Sequence, residues 1–172
     1  MDKLITFNPE QLKELGNAVL IAEELVSNYY KMSSTQWLRS RYDIKTFKEL
    51  AADEIVDGPL AQVLGYDVRK KDGTLGSGIT NYYTVCFQDS TILDKIAQNQ
   101  ELMLLPFFVY ITVHELVHIV RFSKFEQMYS AASESECATE EERKVHAITA
   151  AILKGVAISG VEKVILYYKN WL

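Results

Sequence analysis

The stretch from Leu102 to Phe122 is the most apolar part of the chain, and it restricts the possible folds more than any other feature. A helix that is apolar on most sides is buried either in a protein core or in a bilayer. This helix is long enough to cross a membrane, but it carries His114, Glu115 and His118, which are costly in lipid without partners. Because no second stretch of comparable hydrophobicity is available to shield them, we predict a central core helix rather than a membrane span.

The remaining pattern predicts one α+β domain, residues 1–172, made mostly of helices with a small antiparallel sheet. Two strand-like segments, 61–70 and 81–88, flank a turn-rich stretch. Helical patterns cover the other apolar segments, at residues 9–32, 46–56, from 90 through 97, 102–122, 139–153 and from 159 onward.

Composition narrows the class of protein. The formal charge of −5, with scattered basic residues, argues against nucleic acid as a partner. Two cysteines are too few for a disulfide framework, and the N-terminus lacks the pattern of an export signal. We therefore expect a cytoplasmic protein as the default, and the oligomeric state stays open.

His114 and His118 are four residues apart, which places both imidazoles on one face of a helix, one turn apart. Two imidazoles in this arrangement can bind one metal ion, and zinc is the ion that favours such ligands. Glu115 lies beside the first histidine, where its carboxylate can take a proton from a water that the metal activates. The alternative is a core helix whose histidines hydrogen-bond locally. Three polar residues within so apolar a helix make that alternative expensive, and we favour a zinc site with Glu115 as the catalytic base.

This His-Glu-Leu-Val-His segment resembles the signature of the zincin superfamily of metallopeptidases. Arg121 and Lys124 occupy the positions where the metzincin branch has a glycine and a third histidine, so that branch is excluded. The gluzincin branch instead takes a glutamate from a downstream helix, often with an acidic residue one turn later that supports the first histidine. The resemblance implies a zincin-like fold, Zn²⁺ as the cofactor and a peptide or protein substrate. It also implies an edge strand that pairs with peptide, for which 81–87 is the best candidate.

The third metal ligand is expected in the helix that follows. Projection at about 100° per residue points Glu140 away from the core face, with Glu141 and Glu142 on its two edges. We favour Glu142 over Glu141 because His146 follows Glu142 by one turn, although Glu142 is also spaced to cap the helix with Thr139.

His146 has three possible roles. It can support a metal ligand through a hydrogen bond, bind the metal directly, or lie exposed on the flank of the helix, and we favour the supporting role. Several tyrosines are able to stabilise a developing oxyanion, and the sequence does not select one.

Two functions remain open at this point. The first is a zinc-dependent peptidase in which Glu115 activates the attacking water. The second is a regulatory or interaction module that keeps the zinc site but has little activity of its own. An intact Glu115 favours the peptidase, because a purely structural zinc site does not need it.

Overall fold

The computed structural model of the protein describes residues 5–67, 81–124 and 135–169. The described part is an α+β fold in which helices predominate, as predicted. In chain order its helices and strands are α1 (Pro9–Tyr30), α2 (Ser34–Arg39), β1 (Ser40–Lys45), β2 (Ala61–Asp67), β3 (Asn81–Phe87), α3 (Asp89–Gln98), α4 (Leu104–Lys124), α5 (Ser135–Leu153) and α6 (Val161–Lys169).

Helix α4 forms the centre of the fold. Every residue from 106 to 120 is buried, and α1, α5 and α6 all pack against this helix. By length and composition alone, the stretch Leu104–Ser123 could cross a membrane. However, 78% of its most apolar 18 residues are buried inside the protein. The predicted burial of this helix within a protein core is therefore confirmed.

Helix α1 has a well-defined start and an inner face of small side chains. Asn8 and Gln11 form a reciprocal capping box, with hydrogen bonds of 2.8 and 2.9 Å, and Pro9 occupies the first turn. Ala18 and Ala22 are fully buried on the inner face, where α1 packs against α4.

The sheet is mixed, which corrects the prediction of an antiparallel one. Its strand order is β1-β3-β2, with β2 antiparallel and β1 parallel to β3. Strand β1 was missed because only two apolar residues, Tyr42 and Ile44, alternate with its polar ones, and its pairing with the central strand is what makes this short segment a strand. The position of β3 also contradicts its prediction as the edge strand, because β3 is paired on both sides.

Two further predictions concern the segments around the sheet. The predicted helix 46–56 is wrong, since this segment forms two single 3₁₀ turns, Phe47–Glu49 and Ala52–Glu54. Residues 68–70 of the predicted strand and the turn-rich stretch that follows lie outside the described residues.

Asp89 ties the start of α3 to two distant segments. Its buried carboxylate accepts a 2.9 Å hydrogen bond from the backbone N–H of Phe7 and another of 2.9 Å from the backbone N–H of Phe47. Burial raises the pKa of this carboxyl, although the backbone donors oppose the shift. The side chain therefore joins the chain entering α1, the 3₁₀ segment and α3 on one side of the core.

Candidate metal centre

His114, Glu115 and His118 lie on α4, and all three are buried. The Nε2 atoms of His114 and His118 are 3.2 Å apart, and the two rings meet edge to face with centroids 4.8 Å apart. The spacing of four residues thus brings two imidazole nitrogens to one point on the helix surface, as the sequence predicts.

Glu142 on α5 reaches this point from the neighbouring helix. One of its carboxylate oxygens lies 3.2 Å from Nε2 of His114, and the other lies 2.9 Å from Nε2 of His118. Although partial burial opposes the charge, hydrogen bonds from both imidazoles hold the pKa of Glu142 below its usual range. Burial likewise opposes the charged form of His118, but the Glu142 and Glu115 carboxylates raise its pKa. The structure therefore brings the favoured third ligand to the two histidines.

Glu141, the alternative third ligand, points to a different partner. Its carboxylate binds the Arg121 guanidinium of α4 through two contacts, of 2.5 and 3.1 Å. Glu140 is exposed and pairs with Lys144 on its own helix. Of the three consecutive glutamates, Glu142 is thus the one placed beside the histidine pair.

His146 lies at the edge of the same cluster and is not the exposed residue of the third alternative, since its side chain is only 16% exposed. Its Nδ1 shares a 2.8 Å hydrogen bond with the Tyr110 hydroxyl, and its Nε2 lies 3.7 Å from a carboxylate oxygen of Glu142. Its ring stands 4.3 Å from that of His114, centroid to centroid. Burial, followed by the nearby His114, lowers the pKa of His146 to about 4, so the ring is neutral at neutral pH.

One feature departs from the gluzincin pattern. In that pattern a residue one turn after the third ligand supports the first histidine, but Nδ1 of His114 is buried without a hydrogen-bond partner in the described part of the chain. His146 contacts the ring of His114, while its polar contacts in the described part of the chain are with Tyr110 and Glu142. The 3.7 Å from His146 to Glu142 is too long for a hydrogen bond, so the described contacts of His146 do not include a hydrogen bond to either of these ligands.

The cluster opens into a cleft of about 640 Å³. Glu115 lines this cleft, and its carboxylate makes no hydrogen bond to the described residues. Burial raises the pKa of Glu115, and the two adjacent histidines partly offset the shift. Residues 61–63 at the start of β2 form part of the wall, so β2 rather than β3 is the strand beside the cleft.

The C-terminal helix contributes a further side chain that sequence analysis did not select. Tyr168 on α6 stacks on Tyr110, with ring centroids 4.1 Å apart and planes only 5° from parallel, and it also lines the cleft. Its hydroxyl has no hydrogen-bond partner among the described residues. The two tyrosines and His146 thus form one packed group next to the histidine pair.

The donor set fits a zinc ion. In a tetrahedral site with bonds of about 2.05 Å, ligand atoms are separated by about 3.3 Å. The 3.2 Å between the Nε2 atoms of His114 and His118 is close to that value. One carboxylate oxygen of Glu142 lies 3.2 Å from the first of these atoms, and the other oxygen lies 2.9 Å from the second. His114, Glu142 and His146 also offer ligand atoms within 4.8 Å of one another. We favour the first set, because its separations are shorter and Nδ1 of His146 is already held by Tyr110.

No protein-family model, no curated protein and no solved structure matches this chain. The resemblance to zincins therefore rests on the local motif and on the geometry around it.

Sequence analysis also missed the ion pair that Arg121 forms with Glu141, since Arg121 served there only to exclude one branch of zincins. The spacing of Arg121 from the two histidines could have indicated that it lies near the site. Arg121 follows His118 by three residues and His114 by seven, which places all three on the same face of α4.

Proposed function

We propose that this chain is a zinc-dependent peptidase that hydrolyses peptide bonds, with a site of the gluzincin type. The observation that carries the proposal is the convergence of His114, His118 and Glu142 from two helices, beside the buried carboxylate of Glu115 in a cleft. Two imidazoles and one carboxylate are the protein ligands of many catalytic zinc sites, which keep a fourth position open.

Different residues of the site bind the metal and transfer the proton. Zinc, when bound, polarises a carbonyl and lowers the pKa of water to about 7. His114, His118 and Glu142 hold the ion, and Glu115 accepts the proton of the attacking water. Glu115 then donates that proton to the amine that leaves when the peptide bond breaks. The pKa of Glu115 is raised by burial, which increases the affinity of this carboxylate for the proton that it accepts.

The cleft supports a peptide or protein substrate. Its wall next to α4 includes residues 61–63 of a β-strand, and an extended peptide can bind beside such a strand. Apolar side chains such as Leu60, Val63 and Phe122 line much of the remaining surface. We therefore expect cleavage of unfolded chains next to apolar side chains, which bury favourably in such a cleft.

A second function is favoured by one observation, the proximity of His146. Its Nε2 lies 3.7 Å from Glu142, and rotation of the ring away from Tyr110 would make it a fourth ligand. Four protein ligands close a zinc site and make it structural rather than catalytic. The protein would then be a zinc-binding regulatory or interaction module. The buried Glu115 carboxylate, which makes no hydrogen bond to the described residues, favours the peptidase, because a closed site gives this destabilising group no function.

The test compares the parent protein with Glu115→Gln. We expect about one zinc per chain in both by elemental mass spectrometry, and cleavage of an unfolded protein substrate by the parent alone. Removal of zinc with a chelator should abolish cleavage, and addition of zinc should restore it.

Two other outcomes are informative. Zinc in both proteins with cleavage in neither would support the regulatory module, and Glu115 would have no catalytic role. A parent that binds no zinc, even when zinc is supplied, would refute both functions.

A further inference from the structure

We propose that the Arg121–Glu141 ion pair is a positioning device that holds Glu142 at the metal site before any metal binds. This inference rests on the proposed zinc site and assigns to Arg121 a role in building it. Arg121 does not contact the ion. It acts through Glu141, the residue next to the third ligand.

The geometry of the Arg121–Glu141 pair, which we call the clamp, allows it to hold α4 and α5 together. The guanidinium of Arg121 on α4 makes contacts of 2.5 and 3.1 Å to the two carboxylate oxygens of Glu141 on α5. Two parallel contacts of this kind fix orientation as well as distance, which a single ammonium contact does not. The side chains are only 15% and 12% exposed, so water competes weakly for either group.

The clamp lies near the start of α5, before the helix enters the core. In the described part of α5, no residue from Ala138 to Lys144 is buried, and the first fully buried side chain is Val145. Glu142 is thus carried by a turn in which no described side chain is fully buried. The Arg121–Glu141 pair links this same turn to α4 at the centre of the fold.

The clamp also decides which glutamate faces the histidines. Consecutive residues on a helix differ by about 100° in direction, so a contact made by Glu141 sets the direction of Glu142. Arg121 lies on the same face of α4 as His114 and His118, three residues beyond the second histidine. With Glu141 drawn to Arg121, Glu142 is directed at the histidine pair one turn away. Holding a ligand in place beforehand lowers the entropy cost of binding the ion.

The experiment is a double-mutant cycle read by zinc affinity, with Arg121→Met, Glu141→Gln and both together. Affinity is measured by competition with a chromophoric zinc chelator. Each single variant should bind zinc about 10- to 100-fold more weakly than the parent, the usual effect of losing a residue that orients a ligand. The double variant should bind about as weakly as either single variant, because both changes remove one interaction. Arg121→Lys, which keeps the charge without the paired geometry, should restore affinity only in part.

Lys144→Met is the matched control. Lys144 pairs with Glu140 within α5 at 3.4 Å, so its removal deletes an ion pair from the same turn without touching α4. Its zinc affinity should equal that of the parent. A second measurement uses the metal-free protein, in which Arg121→Met should speed amide hydrogen exchange at residues 139–144 but not beyond Val145.

The outcomes separate this inference from the proposed function. A parent that binds zinc together with clamp variants that bind it equally well would overturn the role of Arg121 and leave the zinc site intact. Losses that add in the double variant would overturn it too, since they would show two independent effects. A parent that binds no zinc would overturn the proposed function and the positioning role together.

Discussion

Replacing Glu142 by glutamine is the most direct test of the candidate third ligand. The change keeps the size of the side chain and one oxygen, but it removes the negative charge that lies 3.2 Å from His114 and 2.9 Å from His118. We expect a large loss of zinc affinity and a small change in the stability of the metal-free protein.

The two magnitudes follow from the number of ligands and from exposure. Structural zinc sites with four ligands bind with about 10–16 kcal/mol, or about 2.5–4 kcal/mol per ligand, so loss of one ligand should weaken binding by about 10²- to 10³-fold. In the metal-free protein, Glu142 is half exposed, and ion pairs of exposed side chains contribute at most about 1 kcal/mol. Zinc affinity and stability should therefore respond very differently to the same substitution.

The assay pairs chelator competition with urea unfolding of the metal-free protein at neutral pH. Glu140→Gln is the matched control, because it makes the same change two residues away on a side chain that is 68% exposed. It should bind zinc as the parent does. Unchanged zinc affinity in Glu142→Gln would refute our assignment of the third ligand. An equal loss in Glu140→Gln would show that only the overall charge of the helix matters.

Two further predictions concern stability. Because the pKa of His146 is lowered to about 4 by burial and then by His114, the unfolded chain binds an extra proton at this residue as the pH falls from about 6.5 to about 4. The stability of the metal-free parent should fall over that range by up to about 1.4 kcal/mol per pH unit more than that of His146→Gln, measured by urea unfolding, and parallel pH profiles would refute this. Asp89→Asn replaces one of two hydrogen-bond acceptors by a donor that faces a backbone N–H, and it should destabilise the protein by about 1–3 kcal/mol. Asp94→Asn, an exposed change on the same helix, should have no measurable effect, and equal losses in the two variants would contradict the role of the Asp89 hydrogen bonds.

Several features of the fold follow from local patterns, and these were predicted correctly. The apolar stretch that became α4 is buried in the core because no arrangement in water leaves so apolar a helix exposed. The start of α1 at Pro9 follows from a capping residue and a proline that act over a single turn. By contrast, β1 and the central position of β3 depend on pairing between segments about 40 residues apart, which no local pattern encodes.

The candidate site also has one part that local sequence predicts and another part that depends on the packing of two helices. His114, Glu115 and His118 share one turn of one helix, so their spacing alone brings the two imidazoles together. The choice between Glu141 and Glu142 depends on how α5 is rotated against α4, and the contacts of Arg121 and the histidines decide it. The hydrogen bond between Tyr110 and His146 likewise crosses between those helices. Spacing within a helix is a property of the backbone, whereas the rotation of one helix against another exists only once both are packed in the fold.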